Sequence, residues 1–115
     1  MKESVIVGKS FDFALTIIDL YRELVDKHEY VISKQILRSG TSIGANVEEA
    51  QAGISKKEFV NKLSIASKEA RETRYWLRLL DKSQYIKRDY TKYLEDATEL
   101  IKMLTAIVKT AQKNM

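Results

Sequence analysis

The sequence has no cysteine, no proline, only four glycines and a single histidine in 115 residues. The lack of cysteine excludes disulfides, thiol nucleophiles and cysteine-ligated metal ions, and it is typical of a reducing compartment. The lack of proline and the scarcity of glycine disfavour β architectures, which need these residues in their turns. These absences favour an all-α protein.

The residues that are present form an ordinary globular composition. Hydrophobic residues make up 44% of the chain and charged residues 31%, which argues against disorder. No apolar run approaches the length of a membrane span and the first nine residues show no leader pattern, so we expect a soluble cytoplasmic protein without membrane contact. The net charge of +4 permits nucleic-acid contact without requiring it.

Apolar residues recur at alternating intervals of four and three in four stretches, which is the spacing of packed amphipathic helices. In chain order the predicted stripes are Val7, Phe11, Ala14, Ile18, Tyr21 and Val25; Ile36, Gly40, Ile43, Val47, Ala50 and Ile54; Phe59, Leu63, Ala66, Ala70, Thr73, Leu77 and Leu80; and Tyr90, Leu94, Ala97, Ile101, Leu104, Val108 and Ala111. Short joints force neighbouring helices to run antiparallel. The sequence therefore predicts one domain over residues 1–115, an up-down-up-down antiparallel four-helix bundle.

Local signals mark the ends of the predicted helices. Gly53 suits a left-handed position after the second helix, and Ser55 with Glu58 forms a capping box for the third. Asp89 is placed to cap the fourth helix. His28 is interpreted as an end-of-helix residue stabilised by the helix dipole.

The segment Ser39–Gly44 has poor helix propensity and on its own favours a loop. The apolar positions on either side stay in phase across it, which predicts a continuous helix. On a helix, its two glycines permit a neighbouring backbone to come close, and we expect this approach from Ala66 and Ala70 of the third helix.

Enzyme motifs are incomplete in this chain. Gly8-Lys9-Ser10 resembles the end of a P-loop, but Glu3 stands where that motif requires a glycine. One histidine cannot supply the two Glu-x-x-His motifs of a di-iron bundle. Glu48 and Glu49 point about 100° apart on a helix, which is poor geometry for an acid-base pair. We therefore predict no catalytic residue, no metal site and no cofactor.

The predicted third helix has two chemically different flanks. One flank carries Arg71, Arg74 and Arg78 along about 10 Å of helix, with Tyr75 beside them, and this combination suits phosphate and base contact. The other flank is acidic with apolar residues, and consists of Glu58, Lys62, Ile65, Glu69, Glu72, Trp76 and Leu79. An alternative is that arginines and glutamates simply pair, within the helix or across to the glutamates of the second helix.

A third interpretation joins the two flanks. A cationic edge and an acidic edge with apolar Trp76 and Leu79 would let identical subunits dock head to tail, and such contacts can close into rings. The first and fourth helices also carry apolar residues beside their stripes, which indicate either subunit contacts or a broad core-facing stripe. These additional residues are Phe13, Ile17, Leu20, Leu24, Tyr93, Leu100, Met103 and Ile107.

Two blocks resemble a known family: residues 38–50, RSGTSIGANVEEA, and Phe59 followed by residues 62–77, KLSIASKEARETRYWL. They are similar to the four-helix-bundle 23S rRNA intervening sequence proteins, also called the S23 ribosomal protein family. The resemblance is dense between residues 35 and 80. It implies a small bacterial cytoplasmic bundle, related to accessory proteins of diversity-generating retroelements.

Those accessory relatives look like barrel-shaped homopentamers whose basic surface contacts nucleic acid and a reverse transcriptase. The resemblance thus implies self-association as a pentamer, with structured RNA or DNA and a reverse transcriptase or other protein as further partners, and it supplies no active site. The matching polar residues carry over only as the family's motif, at a subunit boundary or in a structural polar network. These polar residues are Arg38, Asn46, Glu48, Glu49, Glu69, Arg71, Glu72 and Arg74. Trp76 is expected at the same subunit boundary or in the same network.

From these observations we expect a non-enzymatic, homo-oligomeric bundle that associates with nucleic acid or a ribonucleoprotein. The residues expected to contact nucleic acid are Arg71, Arg74, Tyr75 and Arg78. The alternative is a purely structural or adaptor oligomer whose arginine and glutamate edges serve subunit contacts.

Overall fold

The computed structural model describes the backbone of residues 2–115 and the side chains of residues 5–115. Four helices follow one another, and they are α1 (Lys2–Asp26), α2 (Ile32–Gln51), α3 (Lys56–Ser83) and α4 (Thr91–Lys113). The described chain contains no strand. The expectation that the first nine residues form no leader lies partly outside the described side chains.

The helices form a four-sided bundle. Each helix packs against the one before and the one after it in the chain, and α1 closes the bundle more loosely against α4. The bundle measures 46 × 21 × 20 Å, as expected for helices of this length laid side by side. The predicted antiparallel four-helix bundle is confirmed.

The predicted stripes of α2, α3 and α4 largely coincide with the buried residues, whereas that of α1 is wrong in phase. The predicted stripe residues Phe11 and Ile18 are 58% and 38% exposed, and Ile54, predicted to extend the α2 stripe, is 94% exposed beyond the helix end. The buried apolar residues of α1 are Ile6, Phe13, Ile17, Leu20 and Leu24. Most of the additional apolar residues of α1 and α4 therefore belong to a broad core, and α1 carries a second apolar stripe outside it.

The second helix is continuous across its glycines, as predicted, but the glycines face α1 and not α3. A Cβ on Gly40 would lie 2.8 Å from Ile17 Cγ2, and one on Gly44 would lie 3.3 Å from the carbonyl oxygen of Ser10. The expectation that Ala66 and Ala70 approach these glycines is therefore wrong. The small residues let α1 come close because only a residue without a side chain leaves that space.

The side of α2 that packs against α3 carries the hydroxyl group of Ser39, whereas the glycines lie on the side towards α1. Thr73 Oγ1 donates to Ser39 Oγ at 2.8 Å, and both residues are buried. The Thr73 hydroxyl also lies 2.8 Å from the backbone oxygen of Glu69. The tightest pair of helices is thus joined by a satisfied polar contact inside the core.

The helix ends agree in part with the predicted signals. Ser55 Oγ accepts a hydrogen bond from the backbone N–H of Glu58 at 3.1 Å, which confirms the Ser55 half of the predicted capping box. The left-handed role of Gly53 is wrong, because the described chain has no glycine with positive φ; His28 and Gln84 occupy that region instead, with φ of 65° and 48°. Gly53 is instead close to the end of α2, where an added Cβ would lie 3.1 Å from the carbonyl oxygen of Ala50.

The start of α2 is capped by a residue that the sequence analysis did not single out. The buried carboxylate of Glu29 accepts hydrogen bonds from the backbone N–H groups of Val31, Ile32 and Ser33 at 3.2, 3.1 and 2.6 Å. An acid at a helix N-terminus satisfies the free N–H groups and the helix dipole together.

Candidate nucleic-acid interface

The third helix positions the candidate site. It is the longest of the four, with 28 residues, and it packs against α2 on one flank and α4 on the other. Its buried residues recur with the helical period and are Val60, Leu63, Ala66, Ala70, Thr73, Leu77 and Leu80. The two predicted flanks therefore face different neighbours.

On the α2 side, acidic side chains are engaged by cations. Arg38 of α2 pairs with Glu69 at 3.2 Å and also with Glu72. Trp76 Nε1 donates to Glu72 Oε2 at 3.0 Å. The hydrogen bonds from Arg38 and Trp76 lower the pKa of Glu72 from its ordinary value, and the bond with Glu72 raises the pKa of Arg38. This group is hereafter called the Arg38 network.

A second pair extends the same flank towards the α2–α3 turn. Lys62 Nζ lies 2.8 Å from Glu49 Oε1, and this bond raises the pKa of Lys62. The predicted pairing of α3 with the glutamates of α2 thus exists, but a lysine makes it and not one of the three arginines.

On the α4 side, the three arginines Arg71, Arg74 and Arg78, hereafter the basic ridge, have no acidic partner among the side chains of residues 5–115. The one polar contact recorded for the ridge joins Arg71 Nη2 to Thr105 Oγ1 at 3.5 Å, which is long for a hydrogen bond. Arg71 and Arg78 are exposed and Arg74 is half-buried. The alternative that glutamates neutralise the basic ridge is therefore wrong.

The fourth helix adds cations that sequence analysis missed. Lys102 and Lys109 lie about one turn before and after Thr105, so they flank the contact with Arg71. Both lysines are exposed, and neither forms an ion pair with a described side chain. Their seven-residue spacing is the signal that could have found them, once α4 is placed beside α3.

The aromatic residues divide between the two flanks. Tyr75 is 54% exposed, and its ring meets that of Trp76 edge-on with centroids 5.3 Å apart. Trp76 is held by Glu72, which leaves Tyr75 as the aromatic surface beside the arginines.

The remaining predicted polar residues are not brought into this arrangement. Asn46 donates its side-chain amide to the backbone oxygen of Ser42 at 2.8 Å, within its own helix. Glu48 is exposed and lines a groove between α1 and α2. Structure therefore unites Arg38 with Glu69, Glu72 and Trp76, and it leaves Asn46 and Glu48 apart.

Two other kinds of site are absent from the described residues. The histidine and carboxylate side chains form no group of three or more that could hold a metal ion. None of the four helices combines the length and apolarity needed to cross a bilayer, over the residues that the structure describes. His28 lies at the end of α1, where Nδ1 is 2.8 Å from the hydroxyl of Tyr30.

These features define a small antiparallel four-helix-bundle protein with one face of unpaired cations. The family model of the 23S rRNA-intervening sequence protein matches residues 2–106, and the chain belongs to this family. A crystal structure of a protein of unknown function from the S23 ribosomal protein family of Bacteroides thetaiotaomicron is 52% identical, with a TM-score of 0.90; the alignment covers 95% of this chain and 99% of that chain. No protein of curated function matches. The family resemblance of the two sequence blocks is confirmed, and neither match indicates an enzyme.

Proposed function

We propose that this protein is a non-enzymatic, cytoplasmic accessory protein that binds structured RNA through the basic ridge and works as a homo-oligomer. The observation that carries the proposal is the contrast in pairing on α3. Arg38 and Lys62 on the α2 side are engaged by carboxylates, whereas the ridge arginines have none. Unpaired guanidinium groups on one helical face are suited to phosphate, which they bind through two parallel hydrogen bonds.

The surrounding side chains supply the rest of a nucleic-acid surface. Lys102 and Lys109 extend the positive charge from α3 onto α4. Phosphate contacts from cations on two neighbouring helices fix a nucleic-acid backbone in position. Tyr75 offers an exposed ring on which an unpaired base can stack. RNA is the nucleic acid to test first, because the family is named for sequences that interrupt 23S rRNA.

The proposal is tested by titrating labelled structured RNA at low and moderate salt. Replacing Arg71 and Arg74 together by alanine removes two phosphate contacts, so the slope of log affinity against log salt is expected to fall by about 2. The matched control replaces Lys9 and Lys92 by alanine, which removes the same charge from the side of the bundle where those lysines pair with Glu99 and Asp96.

Binding that is absent at both salt concentrations contradicts the proposal. An equal loss of slope in the ridge variant and in the control variant also contradicts it, because net charge alone would then explain the affinity.

A second candidate function is a purely structural or adaptor oligomer without nucleic-acid binding. The exposed apolar stripe on α1 favours it, since a bundle that leaves Phe11, Leu15 and Ile18 in water presents a surface for association. The two candidates share the expectation of a homo-oligomer, and the family resemblance implies a pentamer. The salt titration separates them.

A further inference from the structure

The side of α3 that faces away from the core carries one continuous stripe of cationic and polar residues. Positions three and four apart share a face of a helix. On the side opposite the buried residues, the residues that follow this spacing are Lys57, Asn61, Ser64, Lys68, Arg71, Tyr75, Arg78 and Lys82. All of them are exposed except Ser64, which is half-buried. This set, hereafter the outer stripe, includes two arginines of the basic ridge and extends about 37 Å along the helix.

The outer stripe has charge of one sign. It contains five cations and no carboxylate, and none of its cations forms an ion pair with a described side chain. It also contains no aliphatic side chain, so it offers little apolar area to a protein partner. A row of cations along most of the 46 Å bundle is instead suited to a long polyanion.

The shape of the outer stripe favours a duplex over a single strand. Single strands bind in grooves lined by aromatic rings, whereas this surface is a convex helix with one ring, that of Tyr75. Double-stranded RNA has a wide and shallow minor groove, which a helix can cross. The minor groove of DNA is about 6 Å wide and too narrow for a helix about 10–12 Å across.

The order of residues along the outer stripe matches the minor groove of RNA. Lys57 and Lys68 are about 16 Å apart along the helix, and the stripe residues between them are the uncharged Asn61 and Ser64. The groove displays 2′-hydroxyls between the phosphates of the two strands. The amide of Asn61 and the hydroxyl of Ser64 can each donate and accept a hydrogen bond, as a 2′-hydroxyl also can.

We propose that the outer stripe binds a double-stranded RNA stem across its minor groove. Lys57 contacts phosphates of one strand, and Lys68 and Arg71 contact phosphates of the other. Asn61 and Ser64 contact the 2′-hydroxyls between them. The inference rests on the proposed RNA binding; it names the substrate class and extends the site beyond the basic ridge to Lys57, about 21 Å from Arg71 along the helix.

The remaining residues of the outer stripe lie beyond this groove contact. Tyr75 is about one turn past Arg71 and is exposed, so an unpaired base next to the stem can stack on its ring. Arg78 and Lys82 then meet the backbone that leads away from the stem. The whole stripe is suited to a stem together with the loop or bulge that ends it.

The test measures the affinity of the full chain for three labelled probes at one salt concentration: an RNA duplex, a DNA duplex of the same sequence, and the single RNA strand. The RNA duplex is expected to bind about tenfold more tightly than the DNA duplex, the factor expected for hydrogen bonds to two 2′-hydroxyls. DNA can still admit a helix through its major groove, but it lacks these hydroxyls. The single strand is expected to bind more weakly than the RNA duplex.

A double variant tests the hydroxyl contacts. Asn61→Ala, Ser64→Ala keeps every charge and raises helix propensity. It is expected to lower the affinity for the RNA duplex about tenfold, and to leave both the affinity for the DNA duplex and the salt slope unchanged. The matched control is Thr110→Ala, Asn114→Ala, which removes one hydroxyl and one amide from exposed positions at the end of α4 and is expected to change neither affinity.

A single variant tests the length of the site. Lys57→Ala is expected to lower the slope of log affinity against log salt by about 1 for the RNA duplex. Lys34→Ala is the matched control, because Lys34 is exposed at the start of α2 and outside the outer stripe, and it is expected to keep the wild-type slope. Equal slopes for Lys57→Ala and the wild type overturn the extension of the site to Lys57.

Equal affinity for the RNA and DNA duplexes overturns the proposal, as does a single strand that binds more tightly than the RNA duplex. An RNA preference that survives Asn61→Ala, Ser64→Ala overturns the 2′-hydroxyl contacts. In each of these cases a lower salt slope for Arg71→Ala, Arg74→Ala still supports the proposed function. Absence of RNA binding in the wild type contradicts both, so the two failures are distinguished.

Discussion

Both flanks of α3 carry charged side chains, but only one flank has its charges paired within the bundle. Towards α2, Glu69 and Glu72 are held by Arg38, and Lys62 is held by Glu49. Towards α4, Arg71 contacts the hydroxyl of Thr105, and none of the three arginines pairs with a carboxylate of the described residues. The difference teaches that the neighbouring helix, and not the charge content of α3, decides whether a charged flank is structural or available for a ligand.

The largest expected effect lies where α3 meets α2 inside the core. Thr73→Val removes the hydroxyl that donates to Ser39 and leaves a fully buried hydroxyl without its partner. We expect the free energy of unfolding, measured by urea denaturation, to fall by about 2 kcal/mol. RNA binding should not change, because the basic ridge is untouched.

The double variant Ser39→Ala, Thr73→Val is the control for that experiment. It removes both hydroxyls together, so no unsatisfied group remains and the double variant should be more stable than Thr73→Val alone. A double variant that is less stable than the single one would show that packing, and not the hydrogen bond, joins the two helices at this point.

A smaller effect is expected from the Arg38 network. Arg38→Ala removes two ion pairs, but the side chain is 48% exposed, so solvent screening limits the loss of unfolding free energy to about 1 kcal/mol. Arg78→Ala on the basic ridge removes no ion pair and should change stability by less than about 0.5 kcal/mol. Equal losses in the two variants would remove the distinction between the flanks.

The pH dependence of stability sharpens the same contrast. Because hydrogen bonds from Arg38 and Trp76 lower the pKa of Glu72 in the folded protein, its contribution is fully present above the ordinary pKa of glutamate and is lost as the pH falls through the lowered value. Thermal melts between neutral and acidic pH should show a steeper acid limb for the wild type than for Arg38→Ala. Arg78→Ala should follow the wild-type limb.

The sequence pattern predicted the bundle well because helical periodicity reports directly on burial. It correctly predicted that α2 is continuous across residues 39–44, where helix propensity alone favours a loop. It predicted the wrong buried face of α1, because α1 has two apolar stripes. Phe11 belongs to one stripe and Phe13 to the other, and spacing alone does not show which of them is buried. Which stripe is buried depends on the positions of α2 and α4, and that information is not local to α1.

The candidate site could likewise be predicted only as far as its features lie within a single helix. The arginine ridge and the acidic flank can be read from α3 alone, since positions three and four apart share a face. Their pairing cannot, because it depends on which helix lies beside each flank: α2 brings Arg38, and α4 brings Lys102 and Lys109. The same non-local information determined that Gly40 faces Ile17 of α1 and not an alanine of α3.

The smallest predicted effect is a gain in stability, and it distinguishes a binding surface from a structural one. Arg74 has Arg71 three residues before it and Arg78 four residues after it, and no described carboxylate pairs with it. Because like charges at these spacings repel, Arg74→Gln should raise the free energy of unfolding by about 0.2–0.5 kcal/mol, with little change in helix propensity.

The control for that measurement is Lys92→Gln, which breaks an i,i+4 pair with Asp96 at 2.9 Å and should lower stability in the same urea titration. Suppose that Arg74→Gln raises the free energy of unfolding and also weakens RNA binding. The arginines of the basic ridge then lower the stability of the bundle, and ligand binding explains their presence. If Arg74→Gln destabilises the bundle as Lys92→Gln does, then the arginine has a structural partner, and the two flanks of α3 do not differ in the way inferred from their ion pairs.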